Sequence, residues 1–439
     1  MRRVDAAGMC RRRYLACLCC AMLGAWATCS PALAAHAAAA AAPAAQRALR
    51  ATVPDAHVDP APDGADQADA LQRALDALHP GQRLVFGPGR YVVGRSLVVR
   101  QTQVVLSGYG ATLIATVPDD QTIEMRGDGT TIVGFRLAGT GSTRMETPKS
   151  TKIEVTGRGV QVLDNAIDGG GGGIFVFGGA DVAIVGNEVL ATLADGIHIT
   201  HGARNVLVQG NVVRGTGDDM IAVVSYQGDG VLSRNVLITG NSLEGNAWGR
   251  GITVVGGADV TIANNIVRNV QVSAGILVAQ EDSFRTYGAS GVLVENNEIS
   301  DIQTATARTD PRPLTQQAAI DVSTWSGSVT RVAVVGNRVS RARFAGIRVW
   351  GNVSQYRIAD NRLSAIGGMP VQVGGVGGGC TAGHPNAARP NAGGSKAGQC
   401  GAAGAQPLAT SVTVGADASQ LPRVRESLRQ ARWSQRGID

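Results

Sequence analysis

Over most of the chain, apolar residues recur in short alternating runs, the pattern of β-strands with one buried face. Two motifs repeat. An apolar-x-Gly/Asp/Asn-Asn-x-apolar motif places asparagines at 165, 187, 211, 241, 265, 297, 337 and 361, with spacings of 22, 24, 30, 24, 32, 40 and 24. About ten residues after most of them comes small-Ile-x-Val/Ile, at Ile174, Ile197, Ile221, Ile252, Ile276, Ile320 and Ile347. Val160-Gln161-Val162, Val182-Ala183-Ile184 and Val206-Leu207-Val208 add a further strand per repeat. Strands this short cannot bury a face alone, so the repeats must stack. With about three strands and three turns per 22–24 residues, the predicted fold is all-β: a right-handed, single-stranded parallel β-helix.

The recurrent asparagine tolerates left-handed backbone geometry and can bond its neighbour one coil on, so it is read as structural. Gly134-Phe135 fills the same slot one turn earlier, and coils are expected from about residue 84. Ala68, Leu71, Leu75 and Leu78 lie at helical spacing, Asp66 can cap the start and Pro80-Gly81 stops the run, predicting a capping helix over 66–78. This helix–strand–turn start resembles the N-terminal cap of pectate-lyase-like β-helices. Departures from the period fall at 225–235, 279–290 and 301–318. Two of these follow the Ile-x-Val strand directly, so they are expected to leave one edge of one sheet and wall a groove. The β-helix domain is placed at 65–372. A Gly-rich segment follows at 373–405, and a final coil with an amphipathic helix through Leu421, Val424 and Leu428 closes the chain over 406–439.

Charge changes the picture only after the N-terminus is set aside. The formal net charge is +6, but residues 1–34 hold five arginines and one aspartate; without them 35 basic face 33 acidic residues, a net of +2. No nucleic-acid partner is indicated. Residues 1–34 read as an export signal: a basic start, an apolar run from Tyr14 to Trp26, and Ala32-Leu33-Ala34 as a cleavage pattern. Arg11-Arg12-Arg13-Tyr14-Leu15 loosely resembles a twin-arginine signal. The apolar run is too short for a membrane span, so the mature chain is expected to be secreted or periplasmic, with no membrane partner, and monomeric. Residues 35–64 are Ala/Pro-rich and read as a linker. Five of seven cysteines leave with the signal; Cys380 and Cys400 remain and are expected to pair, closing a loop worth roughly 3 kcal/mol. Two thiols with only His384 nearby make a poor metal set.

Aligning the coils on the Ile-x-Val strand turns isoleucine inward and the residue after it outward: Phe175, His198, Ala222, Thr253, Leu277, Asp321 and Arg348. Two positions before each isoleucine stand Gly172, Asp195, Asp219, Arg250, Ala274, Ala318 and Ala345. Asp195, Asp219 and Arg250 are therefore expected to stack in successive coils, with Asp218 and His198 beside them and the Asp195 and Asp219 carboxyls about 5 Å apart. Three acids so close cannot all ionise freely, and at least one keeps its proton to higher pH. A proton donor beside ionised carboxylates is what glycosidic cleavage requires. Gly-Asp pairs are also ordinary solenoid turn chemistry, and Asp195 alone would signify nothing more.

The run Asp195-Gly196-Ile197, Gly217-Asp218-Asp219-Met220-Ile221-Ala222-Val223 and Gly249-Arg250-Gly251-Ile252 resembles the core of the polygalacturonase-like glycoside hydrolases, family 28. That resemblance implies Asp218 as general acid and Asp195 and Asp219 as activators of water, with inversion at the anomeric carbon. Leu193-Ala194 replaces the family's Asn-Thr, Arg250 stands in its histidine slot, and Leu277-Val278-Ala279 replaces its Arg-x-Lys. The basic pair that grips a uronate is missing, so a neutral glycan fits as well as polygalacturonate; Arg285 is a candidate substitute cation. Arg250, His198, Tyr226, Trp248, Arg285 and Phe175 are the candidate substrate-binding residues, with Phe177, Phe284, Tyr287 and Trp350 as further aromatics on that edge. Glu281-Asp282 is read as a cation ligand or part of the groove. No nucleotide loop, zinc motif or Ser-His-Asp order is visible. The expected function is an exported polysaccharide hydrolase needing no cofactor. The alternatives are a uronate lyase or epimerase, for which calcium becomes a candidate, and a non-catalytic glycan-binding β-helix.

Overall fold

The computed structural model describes residues 54–374 apart from 143, 146, 307, 308 and 310–312. The export signal, most of the linker, Cys380 and Cys400, nearly all of the Gly-rich segment and the C-terminal helix lie outside the described residues. Among those described, the chain winds through three parallel sheets of 12, 11 and 11 strands. The third carries the site and runs from Leu97–Val99 to Val371–Gly374. Its inward row is in register over the Ile-x-Val motif: Ile174, Ile197, Ile221, Ile252, Ile276, Ile320 and Ile347 pair in sequence. Each is at most 1% exposed, burial that contributes roughly 1.5–3 kcal/mol per side chain.

The asparagines form one continuous ladder. Each side-chain amide from Asn165 to Asn337 donates to the Oδ1 of the next asparagine at 2.9–3.0 Å. The backbone N–H of Phe135 reaches Asn165 Oδ1 at 3.1 Å, joining the earlier turn to the ladder. The left-handed residue is not the ladder asparagine but the one before it: Asp164, Gly186, Gly210, Gly240, Asn264, Asn296, Gly336 and Asp360 have φ of 53–69°. That explains the Gly/Asp/Asn preference at this position, since those residues bear positive φ at least cost.

The cap is a helix over Ala68–Asp76, with Asp66 Oδ1 accepting from the N–H of Ala68 at 2.8 Å. The Gln72 side chain bonds both the N–H and the carbonyl of Val98, occupying the open edge of the third sheet. Part of the segment read as linker is strand: Ala56–Val58 pairs with Leu84–Phe86 and starts the first sheet.

The outward row of the third sheet is not solvent-facing as expected. Ala222, Thr253 and Leu277 are fully buried, and Phe175 and His198 nearly so. The loops after Ile221–Val224 and Ile276–Gln280 explain this. They pair across the intervening coil through Tyr226 and Thr286, with Gln227 N–H donating to Arg285 O at 2.8 Å and Tyr287 N–H to Ser225 O at 2.9 Å. Gly256, between them at φ 76°, has room for no side chain: a Cβ would lie 2.7 Å from Ser225 O and 2.8 Å from Tyr287 O. The loops thus roof a second small core of Ala222, Val224, Val255, Ala274, Leu277 and Ala279, against which Tyr226 packs.

Candidate active site

Asp195, Asp219 and Arg250 stand at the start of three successive rungs. The N–H of Gly173 donates to Asp195 O, Gly196 to Asp219 O, Met220 to Arg250 O and Gly251 to Ala274 O, at 3.0–3.2 Å. This ladder sets the carboxyls one above the other. One oxygen from each of Asp195, Asp218 and Asp219 lies within 4.8 Å of the others, close enough to share a proton, a water or a cation. Gly249 makes the packing possible, since a Cβ there would sit 2.4 Å from Asp218 Oδ1 and 2.5 Å from Asp219 Oδ1.

Each acid is held differently. Asp195 accepts from Asp219 N–H at 3.0 Å and faces His198 Nδ1 at 2.5 Å. Asp219 accepts from Arg250 N–H at 2.6 Å, and the Arg250 guanidinium stands 4.0 Å away. That guanidinium also bonds Glu281 at 2.5 Å. Asp218 pairs with Arg144 and is the most open of the three, with 16% of its side chain exposed against 11% for Asp195 and 9% for Asp219.

Burial, and then the Asp195 charge, push the Asp218 carboxyl up to about 6 against the opposing pull of Arg144 and Arg250. Burial, and then Asp218, hold Asp219 well above the ordinary carboxyl range. Burial and the same acids push the Tyr226 phenol up to about 12, which places it in their field. Burial disfavours the Arg250 cation, but Asp219, Glu281 and Asp218 more than offset that and strengthen its hold on a proton. The cluster therefore keeps a proton near neutrality, with the most accessible acid able to deliver it.

Among the other candidates, His198 is buried against Asp195 and Phe175, whose ring centroid is 5.2 Å away. Phe175 stacks in turn on Phe177, and Phe177 on His201. Trp248 is half-buried in the turn beside Gly249. Arg285 is exposed on the turn after Ile276–Gln280, with φ 50°. Phe284 is exposed on that turn and Tyr287 is half-buried. Trp350 is 45% exposed but lies five rungs beyond the Asp195 strand, about 24 Å along the solenoid, and does not join the acids. Asp321, buried one rung from Arg348, stands 2.7 Å from that guanidinium in an ion pair away from the acids.

Two residues of the cluster carry little sequence signal. Arg144 sits on the loop between Arg136–Ala138 and Thr151–Val155, outside any repeat position, and reaches Asp218 from three coils away. Glu281, read only as a cation ligand or groove residue, anchors Arg250 instead.

A solenoid of three parallel sheets with a carboxyl cluster at the mouth of one defines a right-handed parallel β-helix protein. The chain belongs to the right-handed beta helix region family, whose description matches residues 121–267 and 224–363, together more than half of the 439 residues. No curated protein sequence matches it. Among solved structures, it is similar to the Agl-KA catalytic domain (16% identity, 75% of this chain and 69% of that one, TM-score 0.61). It is similar to the catalytic domain of a GH87 α-1,3-glucanase in complex with tetrasaccharides (15% identity, 73% and 67%, TM-score 0.58). It is similar also to the A-module of the Azotobacter vinelandii mannuronan C-5 epimerase AlgE4 (16% identity, 73% and 96%, TM-score 0.52). At such identities the shared property is the fold.

Proposed function

We propose that the protein is an exported, polysaccharide-active enzyme that hydrolyses glycosidic bonds by acid–base catalysis. The observation that carries this reading is the set of three carboxyls within 4.8 Å on adjacent rungs, the outermost of which keeps its proton to about pH 6. Asp218, the most exposed of the three, protonates the leaving oxygen. Asp195 and Asp219 hold and activate the attacking water. His198 Nδ1 and the Asp219 N–H orient the Asp195 carboxyl, and the Arg250–Glu281 pair fixes the cation that balances Asp219. Tyr226, whose phenol feels the charge of the same acids, contacts the sugar beside the scissile bond. The GH87 α-1,3-glucanase among the fold neighbours lends the reading support from a glycan-cleaving enzyme on the same architecture.

A second reading, a uronate lyase or epimerase, is favoured by one observation: a tyrosine, a histidine and an arginine adjoin the same carboxyls, the groups needed to move a C5 proton. The epimerase module among the fold neighbours is its counterpart support. One experiment separates the readings. The full chain is incubated with α-1,3-glucan, polygalacturonate, polymannuronate, xylan and mannan, with and without chelator. A hydrolase releases new reducing ends with no ultraviolet-absorbing product. A lyase gives the unsaturated chromophore, an epimerase changes the sugar's NMR signals without cleavage, and a binding protein does none of these while retaining saturable binding. An unsaturated product, epimerisation without cleavage, or saturable binding without any reaction overturns the hydrolytic reading.

A further inference from the structure

The outer face of the third sheet continues beyond the acids toward the capped end. There the outward row reads Glu124, Glu154, Phe175 and His198 in direct register, rung by rung. Glu154 is thus two rungs, on the order of 10 Å, from His198. Beside it opens a cleft of about 190 Å3 whose lining includes Arg95, Ser96, Thr122, Glu124, Lys149 and Glu154.

Most of the charge in this cleft faces a partner. Arg95 bonds Asp69 at 2.7 Å, and Lys149 stands 3.8 Å from Asp120. Glu124 accepts from Arg126 at 2.7 and 2.8 Å and from the Thr156 hydroxyl at 3.3 Å. Glu154 has no hydrogen-bonded partner among the described residues, only the longer-range pull of the Arg126 cation that Glu124 already holds. It is 9% exposed, it lines the cleft, and among the described residues its carboxyl accepts no hydrogen bond. Its carboxyl lines the cleft, so an arriving sugar hydroxyl can bond it. Burial, and then Glu124, raise it to about 7, so near neutrality it can both donate and accept.

We propose that this cleft is a remote subsite for a neutral sugar unit of the polysaccharide, with the Glu154 carboxyl hydrogen-bonding its hydroxyls. The proposal rests on the polysaccharide reading above and adds a substrate class. A uronate would set its carboxylate against Glu124, Glu154 and Asp120, where the neighbouring cations already face acids. The glycan then runs along the solenoid axis, from this cleft past Phe175 to the three aspartates.

The test reads binding, not cleavage. The full chain carrying Asp218→Asn is titrated calorimetrically with α-1,3-linked glucose disaccharide, the corresponding hexasaccharide, and a mannuronate hexasaccharide. The neutral hexasaccharide is expected to bind at least about tenfold more tightly than the disaccharide. Adding Glu154→Leu removes that gain and leaves disaccharide affinity unchanged, whereas Glu154→Gln, which keeps hydrogen-bonding capacity and shape, retains part of it. The mannuronate hexasaccharide shows no such gain. The subsite is overturned by an unchanged gain in folded Glu154→Leu protein, by an equal gain for mannuronate, or by no binding of the neutral hexasaccharide. Failure of the hydrolytic reading leaves this result untouched, because the Asp218→Asn background needs no turnover. Loss of the subsite, in turn, leaves cleavage by the native chain intact.

Discussion

Gly249→Ala is a substitution outside the acids that should nonetheless disable them. The added Cβ would meet Asp218 Oδ1 at 2.4 Å, Asp219 Oδ1 at 2.5 Å and Asp219 N at 2.4 Å. Ordinary contact begins near 3.4 Å, so both carboxyls and the Asp219 backbone amide must shift by about 1 Å. A displacement of that size in a reacting group costs about 100-fold in rate, or about 2.7 kcal/mol of barrier. The control is Gly240→Ala, where no atom lies within 4 Å of the new Cβ and only the strain of φ 64° is added, on the order of 1 kcal/mol. Gly240→Ala should lose a few degrees of melting temperature and Gly249→Ala more, because its clash includes backbone; only Gly249→Ala should lose turnover. The assay is initial release of reducing ends from the glycan that the native chain cleaves, alongside thermal unfolding followed by circular dichroism. If folded Gly249→Ala keeps activity within about threefold of the native chain, the carboxyl packing is not what catalysis depends on.

Further expectations follow from the same geometry. Asp218 must be protonated to act as the acid, so activity should fall as pH rises through about 6. Arg144 opposes that raised value, so Arg144→Ala should move the falling limb to higher pH, which a pH–rate profile of the two proteins checks. Stability has its own sign: the folded-state value of Asp218 lies above the ordinary 3.8, so the native state binds more protons between about 4 and 6 and loses stability as pH rises through that window. Asp218→Asn should accordingly unfold at higher denaturant than the native chain at pH 7 and show little difference at pH 4. Asn211→Ala should cost about 2 kcal/mol or more by denaturant unfolding. It leaves the Asn187 N–H and one hydrogen of its side-chain amide without their acceptor in the buried ladder and takes one donor from the Ile184 carbonyl, while Asn241 Oδ1 keeps the backbone N–H of residue 211.

Much of the fold was legible because a solenoid repeats its physics. One inward isoleucine and one ladder asparagine per coil fix the register, and register alone stacked Asp195, Asp219 and Arg250. The turn chemistry was legible too, but assigned one residue late: positive φ falls on Asp164 or Gly186, not on Asn165 or Asn187. Periodicity says nothing of what loops do after they leave a coil. The burial of Ala222 and Leu277 depends on two insertions bonding across the coil of Gly256, and the hold on Asp218 depends on Arg144, three coils away. Glu124 and Glu154 lay within reach of the pattern, since Ile123-Glu124-Met125 and Ile153-Glu154-Val155 share the apolar-x-apolar register. They precede the first ladder asparagine, Asn165, where the paired Asn and Ile-x-Val motifs begin.

The most direct test of the central claim compares the native chain with Asp218→Asn on the polysaccharide it cleaves, measuring new reducing ends at pH 5 while circular dichroism verifies the solenoid. Cleavage falling by about a thousandfold or more with the fold and glycan binding intact is the predicted result. Full cleavage by the folded variant would contradict the account.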